Sequence, residues 1–439
     1  MELSYVEELR LTAFKSFREA VLPLDEFTLV VGRNGSGKSN ALDGLWVLSR
    51  LAHDEDIRDA LDGGREGPAV RGGVAGCAPF GASSFALGAT VRTGDDVVRF
   101  DVEIQTEPHV QVVYERLSLD GHDLLITDPA NPDSSDIRAA WGTASGDRSA
   151  KETFRAGRLL IGQVLARVPA TEDGRRVHLA AAQVMGALRS VFVLDPVPHL
   201  MRQYVPARDS WLRRDADNLS AAVGSLLESP ATKELIRRAL HDLNEQEVLD
   251  VTVSRSDLGD LMLTAVEQIG GHRTEVPARV MSDGTLRFLA ILTSVLQAPT
   301  VDTMPEHLAS DDAAGQTTVV IEELENGLHA SQAATLITLI RDQVSSRRVR
   351  ALATAHSPAV LDALTGDEHR SVIICQRSAD GASRLTRLVD LADYWKIAAV
   401  GSLGRAAEDD RLRDAPDDRR DDRDARAVLD DILGRSASS

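Results

Sequence analysis

Several things are scarce in this chain, and each scarcity narrows what it can be. Its 439 residues include only two cysteines, Cys77 and Cys375, too far apart for a disulfide framework or a paired-thiolate metal site. They fit a reducing cytoplasm. Aromatic residues make up 4%, so stacking platforms for single-stranded nucleic acid are not advertised. Positive charge is outweighed, leaving a net charge of −19, which argues against a globally basic nucleic-acid binder and leaves only a local basic groove open. No apolar run reaches membrane-spanning length, and Met1-Glu2-Leu3-Ser4 opens without a basic or apolar leader, so the expectation is a soluble cytoplasmic protein. No heptad is sustained, which excludes a long coiled-coil arm. The chain has five lysines, and where one of them falls is informative.

That lysine sits in Gly32-Arg33-Asn34-Gly35-Ser36-Gly37-Lys38-Ser39, a G-x-x-x-x-G-K-S loop. Glycines let the backbone turn its N–H groups inward and let a phosphate approach closely. Lys38 reaches the β- and γ-phosphates as a point charge, and the Ser39 hydroxyl is a hard oxygen ligand suited to Mg²⁺. The apolar run Phe27–Val31 predicts a buried strand before the loop. Leu42, Leu45, Trp46, Leu48 and Leu51 predict a helix after it, whose N-terminal dipole favours phosphate.

With 43% apolar residues the chain can bury a sizeable core. Residues 5–24 read as two strands broken near Lys15-Ser16, and 53–82 as a loop or short helices. Three alternating runs over 84–119, with a turn at Thr93-Gly94-Asp95-Asp96, predict an antiparallel meander. Residues 120–150, rich in turn residues such as Asp128-Pro129, read as a surface linker, and 151–245 as mostly helical with one strand at Val191–Leu194. Strand character returns over 247–278. Strands at 317–321, 348–354 and 371–376, alternating with helices at 330–343 and 358–365, predict a parallel core sheet. A strand at 383–389 and a closing helix from Leu391 to Lys396 follow. The divisions are thus 1–120, 121–245, 246–404 and a charged Asp/Arg tail at 405–439, expected to be disordered apart from a short helix at 426–434.

Three further stretches carry chemistry. Val319-Val320-Ile321 runs into Glu322, Glu323 and Glu325, placing carboxylates at the carboxyl edge of a parallel sheet, where ligands bind. Glu322 is the expected Mg²⁺ ligand, and Glu323 the group that polarises the attacking water. Ser282-Asp283-Gly284-Thr285 precedes a helix with Leu286, Leu289, Leu292 and Leu296 on one face, an anion site or an ordinary N-cap. His356, followed by Ser357-Pro358, stands at a strand end where a γ-phosphate contact would be needed.

Together these four stretches resemble, in order and spacing, the Walker A, signature, Walker B and switch-histidine motifs of ABC-type ATPase heads. Met281-Ser282-Asp283-Gly284-Thr285-Leu286-Arg287 and Ile321-Glu322-Glu323-Leu324-Glu325-Asn326-Gly327-Leu328-His329 are similar to the bacterial "AAA family" ATPases related to OLD nucleases and to RecF and SMC heads. The resemblance covers about residues 1–120 and 245–400. It implies an α/β P-loop NTPase of ABC type with an antiparallel β subdomain and a mostly helical insertion. It implies an ATP cofactor held by Asn34, Gly35, Ser36, Gly37, Lys38, Ser39 and Asn40, with Ser39 and Glu322 on Mg²⁺. Lys38, Glu323 and His356 would be catalytic. Two heads would sandwich ATP, Ser282 and Gly284 of one completing the site of the other and Asn326 lying in the coupling D-loop. Glu322 departs from the usual Asp, and Gln105 and Gln111 are candidates for the Q-loop glutamine. The implied role is anti-phage defence or DNA repair, gating a separate effector, a nuclease among the options, or DNA or RNA. Acids beyond His356, such as Asp417 and Asp421, have no strand to hold them as a nuclease site. The alternatives are a transporter's ATP-binding subunit, disfavoured by the signature and the insertion, and a nucleotide-gated scaffold with little turnover, disfavoured by Glu323.

Overall fold

A computed structural model describes residues 2–404 apart from 65–67, 132–133, 143–149, 244–245, 298–314, 348, 363, 365, 367, 393 and 401–402. The tail at 405–439 and its expected helix lie outside the described residues. The strands, in chain order, are β1 (Tyr5–Phe14), β2 (Phe17–Pro23), β3 (Phe27–Val31), β4 (Ser84–Thr93), β5 (Asp96–Gln105), β6 (Gln111–Leu119), β7 (His122–Thr127), β8 (Asp136–Trp141), β9 (Ala150–Arg155), β10 (Val191–Leu194), β11 (Glu247–Arg255), β12 (Leu261–Ile269), β13 (His272–Pro277), β14 (Thr318–Ile321), β15 (Arg350–Ala355), β16 (Val372–Arg377) and β17 (Ser383–Arg387).

Fourteen of them form one sheet in the order β10-β14-β15-β3-β16-β17-β2-β1-β4-β5-β6-β7-β8-β9, and β11-β12-β13 form a second. From β10 to β16 the pairing is parallel. These strands are short and apolar because both faces are covered. Alternation sends Val30, Val320 and Leu352 into one core with the helix Lys38–Leu51. Leu29, Val31, Val319, Ile321, Ala351 and Ala353 go into the other, with the helices Asp283–Leu296 and Ala330–Arg347. The fold is therefore the α/β P-loop class that the sequence predicts.

From β2 onward the sheet is antiparallel. β17 joins β2 through a single register pair, Ser383↔Phe17, whereas β1 and β4 pair over most of their length. The predicted meander is present but twice as long. Residues 122–155, read as linker and helix, supply β7, β8 and β9. Asp120 and Gly121 both have positive φ (49° and 83°) and close a two-residue hairpin between Leu119 and His122, a turn whose twist suits antiparallel strands. Ile137, Ala139 and Trp141 then point inward from β8. The β6–β7 hairpin thus crosses residue 120, and 121–245 begins as sheet. Downstream, helical structure begins with a 3₁₀ turn at Ile161–Gln163 and the short helix Val164–Arg167, and the helix Glu172–Arg189 packs on β1 and on the β4–β7 face. The closing helix starts at Tyr394 rather than Leu391, after a 3₁₀ turn at Leu388–Asp390.

Candidate active site

The loop leaving β3 is held by its neighbours. A Cβ on Gly32 would lie 2.3 Å from the Cys375 carbonyl oxygen, and one on Gly37, at φ 114°, would lie 2.2 Å from Ser383 Oγ. Only glycine fits at either position. Ser383 Oγ donates to the Ser36 carbonyl at 2.6 Å and lies 2.8 Å from Ser16 Oγ, to which Asn40 Nδ2 also donates. Arg377 Nε donates to the Gly35 carbonyl at 3.0 Å. Strands β16 and β17 and the β1–β2 turn therefore brace the loop from behind, leaving Asn34 and Gly35 exposed in front.

Lys38 opens the following helix and is 7% exposed. Its Nζ donates to the carbonyls of Gly32 (2.6 Å) and Arg33 (3.1 Å). Desolvation pushes its pKa below the ordinary lysine value, against the pull of Cys375, Glu323, Glu325 and Glu322. Such an ammonium gains by exchanging carbonyl dipoles for an anion. The Ser36 hydroxyl is buried without a hydrogen-bond partner among the described residues, and so is a donor available to the same anion.

Ser39 Oγ donates to Glu322 Oε1, so the end of β14 reaches the loop directly. A hydroxyl and a carboxylate in contact form a hard oxygen donor set, which fits Mg²⁺. Glu322 is also gripped by Arg71, whose Nη2 lies 2.8 Å from Oε2 and whose Nε bonds Asp43 at 3.3 Å. Lys15 Nζ bonds the other Asp43 oxygen at 2.7 Å. This Arg71–Asp43–Lys15 cluster was not singled out from the sequence. Arg71 lies in the stretch 53–82, and nothing in its neighbours announces a partner 251 residues away.

Glu323 stands in a left-handed backbone conformation, φ 50°, which costs a non-glycine residue about 1–2 kcal/mol. The turn is locked by Thr354 of β15: the N–H of Glu323 donates to Thr354 Oγ1 (2.9 Å), and that of Leu324 to its carbonyl (3.0 Å). Asn326 Nδ2 lies 3.4 Å from Glu323 Oε2. Glu325, 6% exposed, accepts the N–H groups of His356 (2.5 Å) and Ser357 (2.8 Å) on one oxygen. The same oxygen lies 3.0 Å from His356 Nδ1. Because β15 pairs with β3 up to Ala355↔Val31, His356 and the start of the loop leave adjacent strand ends.

The structure thus brings residues 32–40, Glu322, Glu323 and His356 to one edge of the parallel sheet. Ser282 and Gly284 sit on another element. Ser282 caps the helix Asp283–Leu296 by accepting from Thr285 N at 3.0 Å. A Cβ on Gly284 would lie 2.2 Å from the Gly327 carbonyl, so the signature helix rests on the turn that follows Glu323. Gln105 ends β5, donating to the Glu107 carbonyl at 2.7 Å, and Gln111 begins β6, buried. Among the described residues no helix is long and apolar enough to cross a membrane.

Comparison with known proteins gives a family match over residues 27–161 and 179–362, to the family described as "AAA domain, putative AbiEii toxin, Type IV TA system". The chain is also similar to an SMC head domain from Thermotoga maritima (12% identity, TM-score 0.41), covering 87% of this chain and 98% of that one. It is similar to an Smc head with an extended coiled coil bound to the C-terminal domain of ScpA, derived from Pyrococcus furiosus (12%, TM-score 0.43, 88% and 96% covered). It is similar, too, to the recombination mediator RecF (11%, TM-score 0.39, 88% and 98% covered). No curated protein matches it.

Proposed function

Since the chain belongs to that AAA-domain family, we propose that it binds ATP with Mg²⁺ at residues 34–40 and hydrolyses it, dimerising around the nucleotide to gate a partner. The observation that carries this reading is the contact between Ser39 and Glu322 beside a buried Lys38. It puts a phosphate-seeking cation and a hard-oxygen pair at the ends of β3 and β14, the two strands that flank β15 in the parallel sheet. A bound Mg²⁺ would neutralise charge on the β- and γ-phosphates. Lys38 leaves its loop carbonyls for the phosphates. Glu323, held by Thr354 and pointed by its own strained backbone, orients the water and takes its proton. His356 meets the terminal phosphate. Ser282 and Gly284, at a helix N-terminus resting on the turn after Glu323, reach the nucleotide of a second copy. Contact with that nucleotide and the Glu323 turn are then mechanically joined through Gly327.

The partner reading is supported by the family's description, which places it with a Type IV TA system. This chain supplies the ATP-dependent gate, in phage defence or DNA repair, and a separate subunit carries any nucleic-acid cleavage. The test is phosphate release by the pure protein with Mg²⁺, together with its mass in solution with and without ATP. Turnover with an ATP-dependent dimer supports the reading. Absence of both overturns it.

A further inference from the structure

We propose that Glu325 is the positioning residue of His356: it holds the ring by Nδ1, so that Nε2 is the nitrogen presented to the terminal phosphate. This rests on the ATP-hydrolysing reading above and deepens it.

Glu325 is the most buried of the three acids after β14, and its placement differs from theirs. Glu322 meets Ser39 and Arg71, and Glu323 faces Asn326. Glu325 turns the other way, under the end of β15. Its Oε1 accepts two backbone N–H groups, and the ring Nδ1 lies 3.0 Å from the same oxygen. Its Oε2 is buried with no hydrogen-bond partner among the described residues. Burying a carboxylate is costly. If the side chain only closed the turn before the helix at Pro358, the two backbone N–H groups would suffice, as a serine or asparagine could provide for at lower cost. The ring nitrogen, 3.0 Å away, is what a carboxylate adds.

A carboxylate oxygen that accepts two amides can only accept from the ring as well. Nδ1 must then carry its proton toward Glu325, which leaves Nε2 on the ring's outer edge. The His356 side chain is 44% exposed, against 6% for its partner. The same carboxylate acts on Lys38, which feels its charge. Glu325 thus sits behind both groups that meet the phosphate. Ring and turn also move together, because Glu325 lies in the turn that Thr354 locks to β15. Orienting carboxylates behind a functional histidine commonly change activity by about ten- to a hundredfold when removed.

The test uses the full chain with ¹⁵N-labelled histidine, His356 being assigned by the spectrum of His356→Ala. Without nucleotide, the wild type should show a protonated Nδ1 and a bare Nε2. Glu325→Gln keeps an acceptor oxygen and should keep that tautomer; Glu325→Leu should lose it. In turnover, Glu325→Leu and His356→Ala should each lower kcat about ten- to a hundredfold with KM for ATP within about twofold. The double variant should fall no further than the worse single one, and Glu325→Gln should recover most of the loss. A wild-type ring protonated at Nε2, or additive losses in the double variant, would overturn the proposal. If Glu325→Leu fails to fold, the wild-type ring spectrum and Glu325→Gln decide alone. A wild type that turns over no ATP defeats the hydrolytic reading, and the ring spectrum still decides this one.

Discussion

One sheet holds two halves built on different rules. Strands β3, β14 and β15 are buried along their whole length, and their carboxyl ends carry the loop, the acids and the histidine. The β4–β9 arm is made of half-covered antiparallel strands, β5 alternating nearly residue by residue. Each half buries ionisable groups against backbone dipoles, and Lys38 and Glu115 make the pair to compare. Lys38 lies on two carbonyls beside a front that opens to solvent. Glu115 of β6, 0% exposed, accepts from the N–H groups of Leu160 (2.8 Å) and Ile161 (2.7 Å). Burial pushes the Glu115 carboxyl up to about 8, the two amides only partly opposing it. Both ions are drawn toward neutrality. Acids around Lys38 keep it charged for use, whereas Glu115 pins a chain segment to the arm. The comparison separates a cation kept for a ligand from a carboxyl kept for the fold.

Changes at the nucleotide site of the parallel half should fall on activity, and at its packing contacts on stability. Glu323→Gln keeps shape and loses the base; turnover should drop about a hundred- to ten-thousandfold, and the variant should accumulate as an ATP-bound dimer on sizing. Lys38→Ala should lower turnover about a hundred- to thousandfold with a melting temperature near that of the wild type; a wild-type rate would remove the site assignment. Gly284→Ala should go against helix propensity. Alanine normally stabilises a helix by about 1 kcal/mol relative to glycine. Here the added carbon meets the Gly327 carbonyl, and denaturant unfolding should show a loss of about 1–3 kcal/mol.

In the arm the effect should be on stability alone. The folded carboxyl of Glu115 holds its proton up to about pH 8, while an unfolded glutamate releases it near about pH 4.3. The folded state therefore binds the extra proton between those values, and stability falls as pH rises through that window. Glu115→Gln should flatten that slope in melting temperature while leaving turnover alone; an unchanged slope would show that the group does not titrate there. Smallest, Ser383→Ala removes one brace of the Ser36 carbonyl, and should raise KM for ATP a fewfold, for a hydrogen bond of about 1 kcal/mol.

The parallel half was largely legible, because there each apolar run leads straight into its functional residues: Val31 to Gly32, Ile321 to Glu322, Ala355 to His356. The arm was half legible. Asp120-Gly121 is a hairpin turn in plain sight, but Asp128-Pro129 and Asn131-Pro132 hid the strands around them, and β9 is almost wholly polar, having one buried side chain, Phe154. Pairings across long stretches were not legible at all. The sequence shows Arg71 and Glu325 as ordinary charges, since the partners of Arg71 (Asp43 and Glu322) and of Glu325 (the turn after β15) come near only in the folded chain.

The two halves meet where β17 touches β2 at Ser383↔Phe17 alone. The strand ladder narrows there to one rung, and the helix Lys38–Leu51, packed on β1 and β4 as well as on β10 and β15, carries the core across it. Ser383 is that rung, and its hydroxyl also supports the Ser36 carbonyl beneath the loop. The seam of the sheet and the support of the loop are therefore one residue, so a change at Ser383 acts on both at once.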